Sequence, residues 1–216
     1  MAGPGGETGA AAAHRMTARP EDIAGIYERK AREFDTVRSR ALFERGWLER
    51  FAALLPEHAT VLDLGCGHAE PIAAWLIAQG FDLTGVDTSP SLLALCRQRF
   101  PDQDWIEDDM RKVALGRQFN GLIAWDSFFH LPFDDQRAMF DVFRRHAAPN
   151  AALMFTSGPS HGEATGDHAG EALYHASLAP EEYRALLAEA GFNVVAHKAN
   201  DADCAGHTVW LAQRKA

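Results

Sequence analysis

The stretch that decides the fold is Val61-Leu62-Asp63-Leu64-Gly65-Cys66-Gly67-His68-Ala69. An apolar run closes around an acidic residue, a glycine turn follows, and a helical pattern starts at Pro71. A buried strand, a tight turn and a helix in that order aim backbone N–H groups at whatever lies above the strand end. A second apolar run, Phe81-Asp82-Leu83-Thr84-Gly85-Val86-Asp87, also finishes on a carboxylate. Two such strands joined through one helix form the first half of a nucleotide-type binding unit.

Upstream, Glu21 to Leu55 reads as helical. Ile23, Ile26 and Tyr27 share one face, Leu42, Leu48, Phe51 and Leu55 another, and Pro56 ends the run. Downstream, strands and helices alternate. The first strand is expected over Thr60–Leu64, and its helix runs from Pro71 to Gln79 and stops at Gly80, a left-handed C-cap. Ser89 caps the next helix with Pro90 in its first turn. Further strands fall at Asp104–Glu107, Gly121–Trp125 and Ala152–Thr156. Asp134 or Asp135 caps a helix that turns Met139, Phe140 and Phe143 to the core. A polar stretch rich in Gly and His, Gly158–His175, interrupts the alternation. A last helix begins at Pro180 and ends at Gly191, and two close strands, Asn193–His197 and Thr208–Ala212, suggest an antiparallel hairpin at a sheet edge. This alternation predicts an α/β fold, a parallel doubly wound sheet with helices on both faces. Its ligand belongs at the carboxyl ends of the strands, which puts the Gly65 loop, Asp87, Asp108–Asp109 and Asp126–His130 on one rim.

The 216 residues suffice for a single domain with a full core. Lys and Arg number 21 against 30 Asp and Glu, a net charge of -9, which disfavours a nucleic-acid partner. Three cysteines, Cys66, Cys96 and Cys204, make an odd set without a CxxC pair, which fits a reducing cytoplasm. No segment has the length and apolarity of a membrane span, and the N-terminus lacks a signal-peptide core. Residues 1–20 read as a disordered tail, with Met16 as an alternative start, and 21–216 as the domain.

The Gly65-x-Gly67 pair, with a strand before, a helix after and Asp87 about twenty positions on, satisfies the context of an adenosine-containing cofactor. A nicotinamide fingerprint needs a small residue where this chain has Glu70, and a carboxylate there opposes a pyrophosphate. S-adenosylmethionine carries no phosphate. Its aminoacyl end suits the tight turn, its ribose diol suits a carboxylate after the second strand, and its adenine amine suits one after the third. An acidic rim tolerates its sulfonium.

VLDLGCGHAEP, LTGVDTSP, WIEDDMRKV and FNGLIAWDSFFHL, in that order, resemble the successive motifs of class I S-adenosylmethionine-dependent methyltransferases of the small UbiE/Type-11-like sort, from about Glu21 to the C-terminus. The resemblance implies a Rossmann-like seven-stranded sheet of order 3-2-1-4-5-7-6 with the last-numbered strand antiparallel, an N-terminal helical cap over 21–56 and a substrate lid over 158–178. It implies that Gly65 and Gly67, with Cys66 as a small filler, line the methionine end, supported by Asp63. Asp87, with Thr88 beside it, would hold the ribose, and Asp109 and Met110 the adenine. Ala124, Trp125 and Asp126 would flank the sulfonium. Three departures stand out: Ala69 replaces a usual third glycine, Asp108 replaces a frequent glycine and leaves the adenine residue open by one position, and Pro149-Asn150-Ala151 replaces Pro-Gly-Gly.

Methyl transfer is an in-line displacement that requires alignment and sometimes proton removal, so no triad is expected. His130 and Asp126 are the catalytic candidates, His130 because its unperturbed pKa is near neutral. Tyr27, Tyr174 and His175 are the substrate-binding candidates, and Tyr27 or Arg38 the candidates for the methionine carboxylate. His161 and His168 fall in the polar stretch without metal-ligand spacing, and Cys204-x-x-His207 lacks partners, so no metal is expected. The expected partner is a small-molecule acceptor methylated on O or N, the expected product S-adenosylhomocysteine, with no nucleic acid, no membrane, and a monomer or homodimer. Methylation of a protein or RNA, a non-catalytic S-adenosylmethionine-binding module and a nicotinamide oxidoreductase are the alternatives.

Overall fold

The computed structural model describes residues 18–168 and 170–216. The tail expected over residues 1–20 lies, up to residue 17 and including Met16, outside the described residues, as does the side chain of His168. Three short helices come first: α1 (Ile23–Arg29), α2 (Ala31–Val37) and α3 (Arg45–Ala52). The alternation follows as β1 (Thr60–Leu64), α4 (Ile72–Ala78), β2 (Asp82–Asp87), α5 (Pro90–Arg99), β3 (Asp104–Glu107), β4 (Phe119–Ala124), α6 (Phe133–His146) and β5 (Ala147–Ser157). Then come β6 (Gly162–His168), β7 (Glu171–Ser177), α7 (Pro180–Glu189), β8 (Phe192–Asp201) and β9 (His207–Arg214).

Seven strands form one sheet in the order β3-β2-β1-β4-β5-β9-β8. β1 to β5 pair in parallel, while β9 runs antiparallel to both β5 and β8. With β6 and β7 set aside, this is the expected 3-2-1-4-5-7-6 sheet.

Strand alternation divides the core into two layers. Leu62, Leu122, Phe128, Phe143, Phe155 and Trp210 belong to the layer under α6 and α7. Val61, Ile123, Met154, Phe51, Leu76 and Leu93 belong to the layer under α3, α4 and α5. Asp63 shares the second face with Val61, so its carboxylate enters an apolar layer.

Four expectations change. The helical run before Pro56 breaks at Lys30 (φ -103, ψ 12) and again after Val37, giving three helices instead of a continuous pattern. Asp134 and Asp135 sit in the first turn of α6, where they face its positive end without capping it; Pro132 is the N-cap. The edge strands extend further than their apolar cores, over Phe192–Asp201 and His207–Arg214. The polar stretch is a two-stranded antiparallel ribbon, β6–β7. Its Gly-Glu-Ala-Thr-Gly-Asp-His strand has no apolar alternation because it packs on the rim and not in the core. By contrast, Ser89 caps α5 as expected, its Oγ accepting the Leu92 N–H at 3.2 Å, and Gly80 is left-handed (φ +86).

Candidate active site

The turn after β1 works because of its backbone. The N–H groups of Gly65 and Cys66 both donate to the Val86 carbonyl, at 2.8 and 3.1 Å, which bends the chain back over β2. Gly65 is left-handed (φ +79), and a Cβ there would lie 2.3 Å from that of Ser127. Ser127 is itself fixed, its Oγ donating to the Leu64 carbonyl at 2.7 Å. No residue but glycine fits. Ala69, at the third-glycine position, also takes a positive φ (+70), so that departure carries strain.

Asp87 closes the turn from β2. One carboxylate oxygen accepts the Gly67 N–H at 2.9 Å and the other the Ser89 N–H at 2.9 Å. Asp63 is different. Its side chain is buried and no described group donates a hydrogen bond to it; burial, with Asp87 nearby, pushes its pKa up to about 7.

Two cavities meet at this turn. The first, of about 400 Å³, lies over the end of β2 and is lined by Asp87, Thr88, Asp108, Asp109 and Met110, with the segment from Pro20 to Tyr27 as its roof. Asp109 is occupied: Arg111 grips both its oxygens at 2.5–2.9 Å and also reaches Asp135 at 2.7 Å. Burial raises the Asp109 pKa, but Arg111 outweighs it and leaves the carboxyl below its ordinary value. Among the described residues Asp108 has no ion pair and accepts only the Asp109 N–H, at 2.7 Å. Of the two aspartates, Asp109 is thus the one paired with an arginine.

The second cavity, of about 420 Å³, shares Tyr27, Phe34, Gly65, Gly67 and His130 with the first and continues past Asp63, Cys66, Trp125, Asp126 and His175. His130 is buried and both its nitrogens are engaged. Nδ1 lies 2.9 Å from the Tyr174 carbonyl, which only accepts, so the ring proton is on Nδ1. Nε2 then accepts the Tyr27 hydroxyl at 3.1 Å. Burial pushes the His130 pKa down to about 4. A ring so engaged does not fit the expected role of taking a proton from an acceptor.

Asp126 is likewise engaged. It is left-handed (φ +50), with Arg38 at 3.0 Å on one oxygen and His207 at 2.9 Å on the other. Arg38 is thus tied to Asp126, and more distantly to buried Glu44 at 3.5 Å. His207 donates its Nδ1 proton to the Cys204 carbonyl at 2.8 Å and stacks between Trp125 (5.4 Å) and Phe43 (5.5 Å). Burial opposes its charge, yet Asp126 outweighs that and raises its pKa. Sequence reasoning missed His207 as a site residue. The Cys204-x-x-His207 spacing drew attention to it, but nothing in the sequence joins it to Asp126, 81 residues away.

Tyr174 departs from expectation: its side chain lines neither cavity and its hydroxyl donates to Glu163 at 2.7 Å, because it faces away from the site while its neighbours Leu173 and His175 face in. Its carbonyl, not its ring, serves the site, through His130. Cys66 lines the second cavity, and burial raises its thiol pKa, as suits a filler. Glu70 is paired with Arg40 at 3.1 Å and Arg99 at 3.4 Å, so it opposes an anion less than a bare carboxylate would. Asp35, His68 and Glu70 cluster here, but the same arginines hold the two carboxylates and His68 Nδ1 accepts the Glu70 N–H.

A sheet of this order, with a glycine turn after its first strand and a carboxylate ending its second, defines the class I S-adenosylmethionine-dependent methyltransferase fold. The family profile described as "Methyltransferase domain" matches residues 27–197, and the chain belongs to that family. The protein YqeM of Bacillus subtilis (strain 168) is 31% identical over 136 residues, 60% of this chain and 54% of that protein. The trans-aconitate 2-methyltransferase of Klebsiella pneumoniae (strain 342) is 38% identical over 84 residues, 37% of this chain and 30% of that enzyme. The matches thus span about half or less of these relatives. Among solved structures, S-adenosylmethionine-bound CalS10, an amino pentose methyltransferase from Micromonospora echinaspora, superposes with a TM-score of 0.66 at 22% identity, over 88% of this chain and 97% of that one.

Proposed function

We propose that the chain transfers a methyl group from S-adenosylmethionine to an oxygen or nitrogen nucleophile of a small molecule. The observation that carries this reading is Asp63, a buried carboxylate beside the glycine turn that faces a cavity without a donor. Such a group calls for a cation, which the ammonium of the methionine moiety supplies. Asp87 keeps lone pairs for the two ribose hydroxyls after accepting its backbone donors, with Thr88 alongside. Asp108 takes the adenine amine, with Asp109 held in place by Arg111 and Met110 packed on the ring.

The methyl then points into the second cavity beside Trp125 and Asp126. A lone pair of the acceptor attacks the methyl carbon, the carbon–sulfur bond breaks, and the sulfur leaves as the thioether S-adenosylhomocysteine. Alignment alone supplies several kcal/mol, on the order of 7 or more when the geometry is ideal. Asp126, with Arg38 on one oxygen and His207 on the other, serves as a fixed part of the cavity wall instead of a base. Tyr27, oriented by His130, stands between the two cavities. An open, polar space beyond the cofactor turn favours an enzyme over a non-catalytic binder. The short helices α1 and α2 and the ribbon β6–β7 frame an acceptor of small size.

The test is ligand-induced stabilisation. S-adenosylhomocysteine at one hundred times its Kd adds about 2.7 kcal/mol and should raise Tm by several degrees, while NAD should not. Asp87→Ala should weaken S-adenosylhomocysteine binding at least about tenfold, the loss of one or more charge-assisted hydrogen bonds. A shift with NAD alone, or an unchanged affinity in the variant, overturns the assignment.

A further inference from the structure

With His130 and Asp126 both engaged, one titratable ring in the second cavity keeps its nitrogens free. His175, on β7, has no described residue as donor or acceptor to either nitrogen, although it is half-buried. It lies 4.7 Å from the Phe129 ring and 4.9 Å from His130, ring centre to ring centre. A Cβ on Gly166, two residues along β6 from its pairing partner Ala164, would fall 2.5 Å from its Cε1, so the glycine makes the space that the ring occupies. Among the described residues, His175 and Phe129 are the two that line both the second cavity and a third of about 260 Å³, which runs under the ribbon past Ser157, Ser177 and Glu163.

We propose that His175 is the general base of the methyl transfer, taking the proton from a hydroxyl or protonated amine whose remaining body extends into the third cavity. The inference rests on the methyltransferase reading above. The acceptor's X–H bond gives its proton to a free ring nitrogen of His175 and its electron pair to the methyl carbon. The carbon–sulfur pair returns to sulfur, and the imidazolium passes its proton to solvent. Burial lowers the His175 pKa, while the Asp126 carboxylate draws it up, so the ring is a neutral acceptor at neutral pH and its protonated form has a counter-charge at hand. Charged and titratable groups that line the second cavity with it include His130 on the turn after β4, Asp167 on its own ribbon, and His207 and Arg38, both tied to Asp126, with Tyr27, Asp63, His68 and Glu70 around the glycine turn. From the third cavity Glu163 and His161 face it; Tyr174 holds Glu163 and Phe133 stacks on His161. None of these occupies its nitrogens.

The test uses the full chain with methyl-tritiated S-adenosylmethionine and a desalted small-metabolite extract as the acceptor source, counting label in the small-molecule product. His175→Asn should lower the transfer rate at saturating cofactor about a hundredfold or more, with S-adenosylhomocysteine affinity within about twofold of wild type as the control for folding. The wild-type rate should rise with pH along a limb that the variant lacks, and imidazole added to His175→Ala should restore transfer. Transfer by His175→Asn within about threefold of wild type, or a lost rate that keeps the pH limb and ignores imidazole, overturns the proposal and leaves His175 a packing group. Wild-type protein that binds S-adenosylhomocysteine yet labels nothing defeats the methyl-transfer reading and this proposal together; failure to bind it defeats the cofactor assignment first.

Discussion

Asp63 pairs a stability cost with the binding function proposed for it. Its folded pKa of about 7 stands above the ordinary carboxyl value of 3.8, so the folded state resists its ionisation. The sign follows: stability fully present below pH 3.8 is lost as pH rises toward and through 7, a loss on the order of a few kcal/mol. Asp63→Asn removes the charge at nearly constant shape. It should raise the Tm of the ligand-free protein at pH 8, leave it unchanged at pH 4, and weaken S-adenosylhomocysteine binding about tenfold or more. A variant that gains no stability at pH 8, or binds as tightly as wild type, would show that this carboxylate meets no ammonium. The same residue shows what the sequence could carry at this scale. A strand ending in Asp63 and a bend needing Gly65 are local facts, readable from neighbours in the chain. That both nitrogens of His130 are engaged, that Arg111 covers Asp109, and that His207 grips Asp126 depend on side chains meeting across 2 to 103 residues, through rotamers that no spacing rule encodes.

Among the elements, α1 is fastened to the start of α5 by the carboxylate of Glu28. Glu28 accepts Ser89 Oγ at 2.5 Å and Ser91 N–H at 3.1 Å on one oxygen, and Ser91 Oγ at 2.5 Å on the other. It thereby adds negative charge to the N-terminus of α5, where the helix dipole favours it. Since α1 roofs the first cavity and brings Tyr27 to His130, the contact fastens that roof. Glu28→Ala should cost about 1–2 kcal/mol of that closure, seen as an S-adenosylhomocysteine dissociation rate about fivefold to tenfold faster in stopped-flow measurements, with little change in the far-ultraviolet spectrum. Dissociation at the wild-type rate would mean that the α1 roof is held by other contacts. The parallel strands were legible because each is a continuous apolar run. The β6–β7 ribbon was not, because its residues serve a rim and follow no core-facing period, and the break at Lys30 was not, because nothing in its local sequence forbids the helix.

At the scale of the whole molecule, titrating groups of opposite sign decide the acid limit of stability. Burial pushes His68 and His130 down to about 4 from an ordinary 6.5. A base with a lowered folded pKa binds its proton more readily when unfolded, so each costs stability as pH falls from about 6.5 to 4, on the order of 3 kcal/mol apiece. Asp63 returns a similar amount over part of the same range, since its proton goes on more readily in the folded state. The two imidazoles outweigh Asp63; His175 and His197, also lowered by burial, add to the loss, while Glu44, Asp87 and His207, whose pKa values are raised, offset part of it, and below that range Asp109 and Asp126, whose folded pKa values are lowered by Arg111 and by His207 with Arg38, lose their ion pairs in turn. Against a total of roughly 5–15 kcal/mol for a domain of this kind, a loss of this size is visible. The Tm of the ligand-free protein should fall between pH 6.5 and 4, and His130→Asn should flatten part of that fall while lowering Tm at pH 7 through its lost hydrogen bonds to Tyr27 and the Tyr174 carbonyl. Scanning calorimetry across that range checks both. A Tm that holds level to pH 4 in the wild type would mean that these rings are not sealed from water.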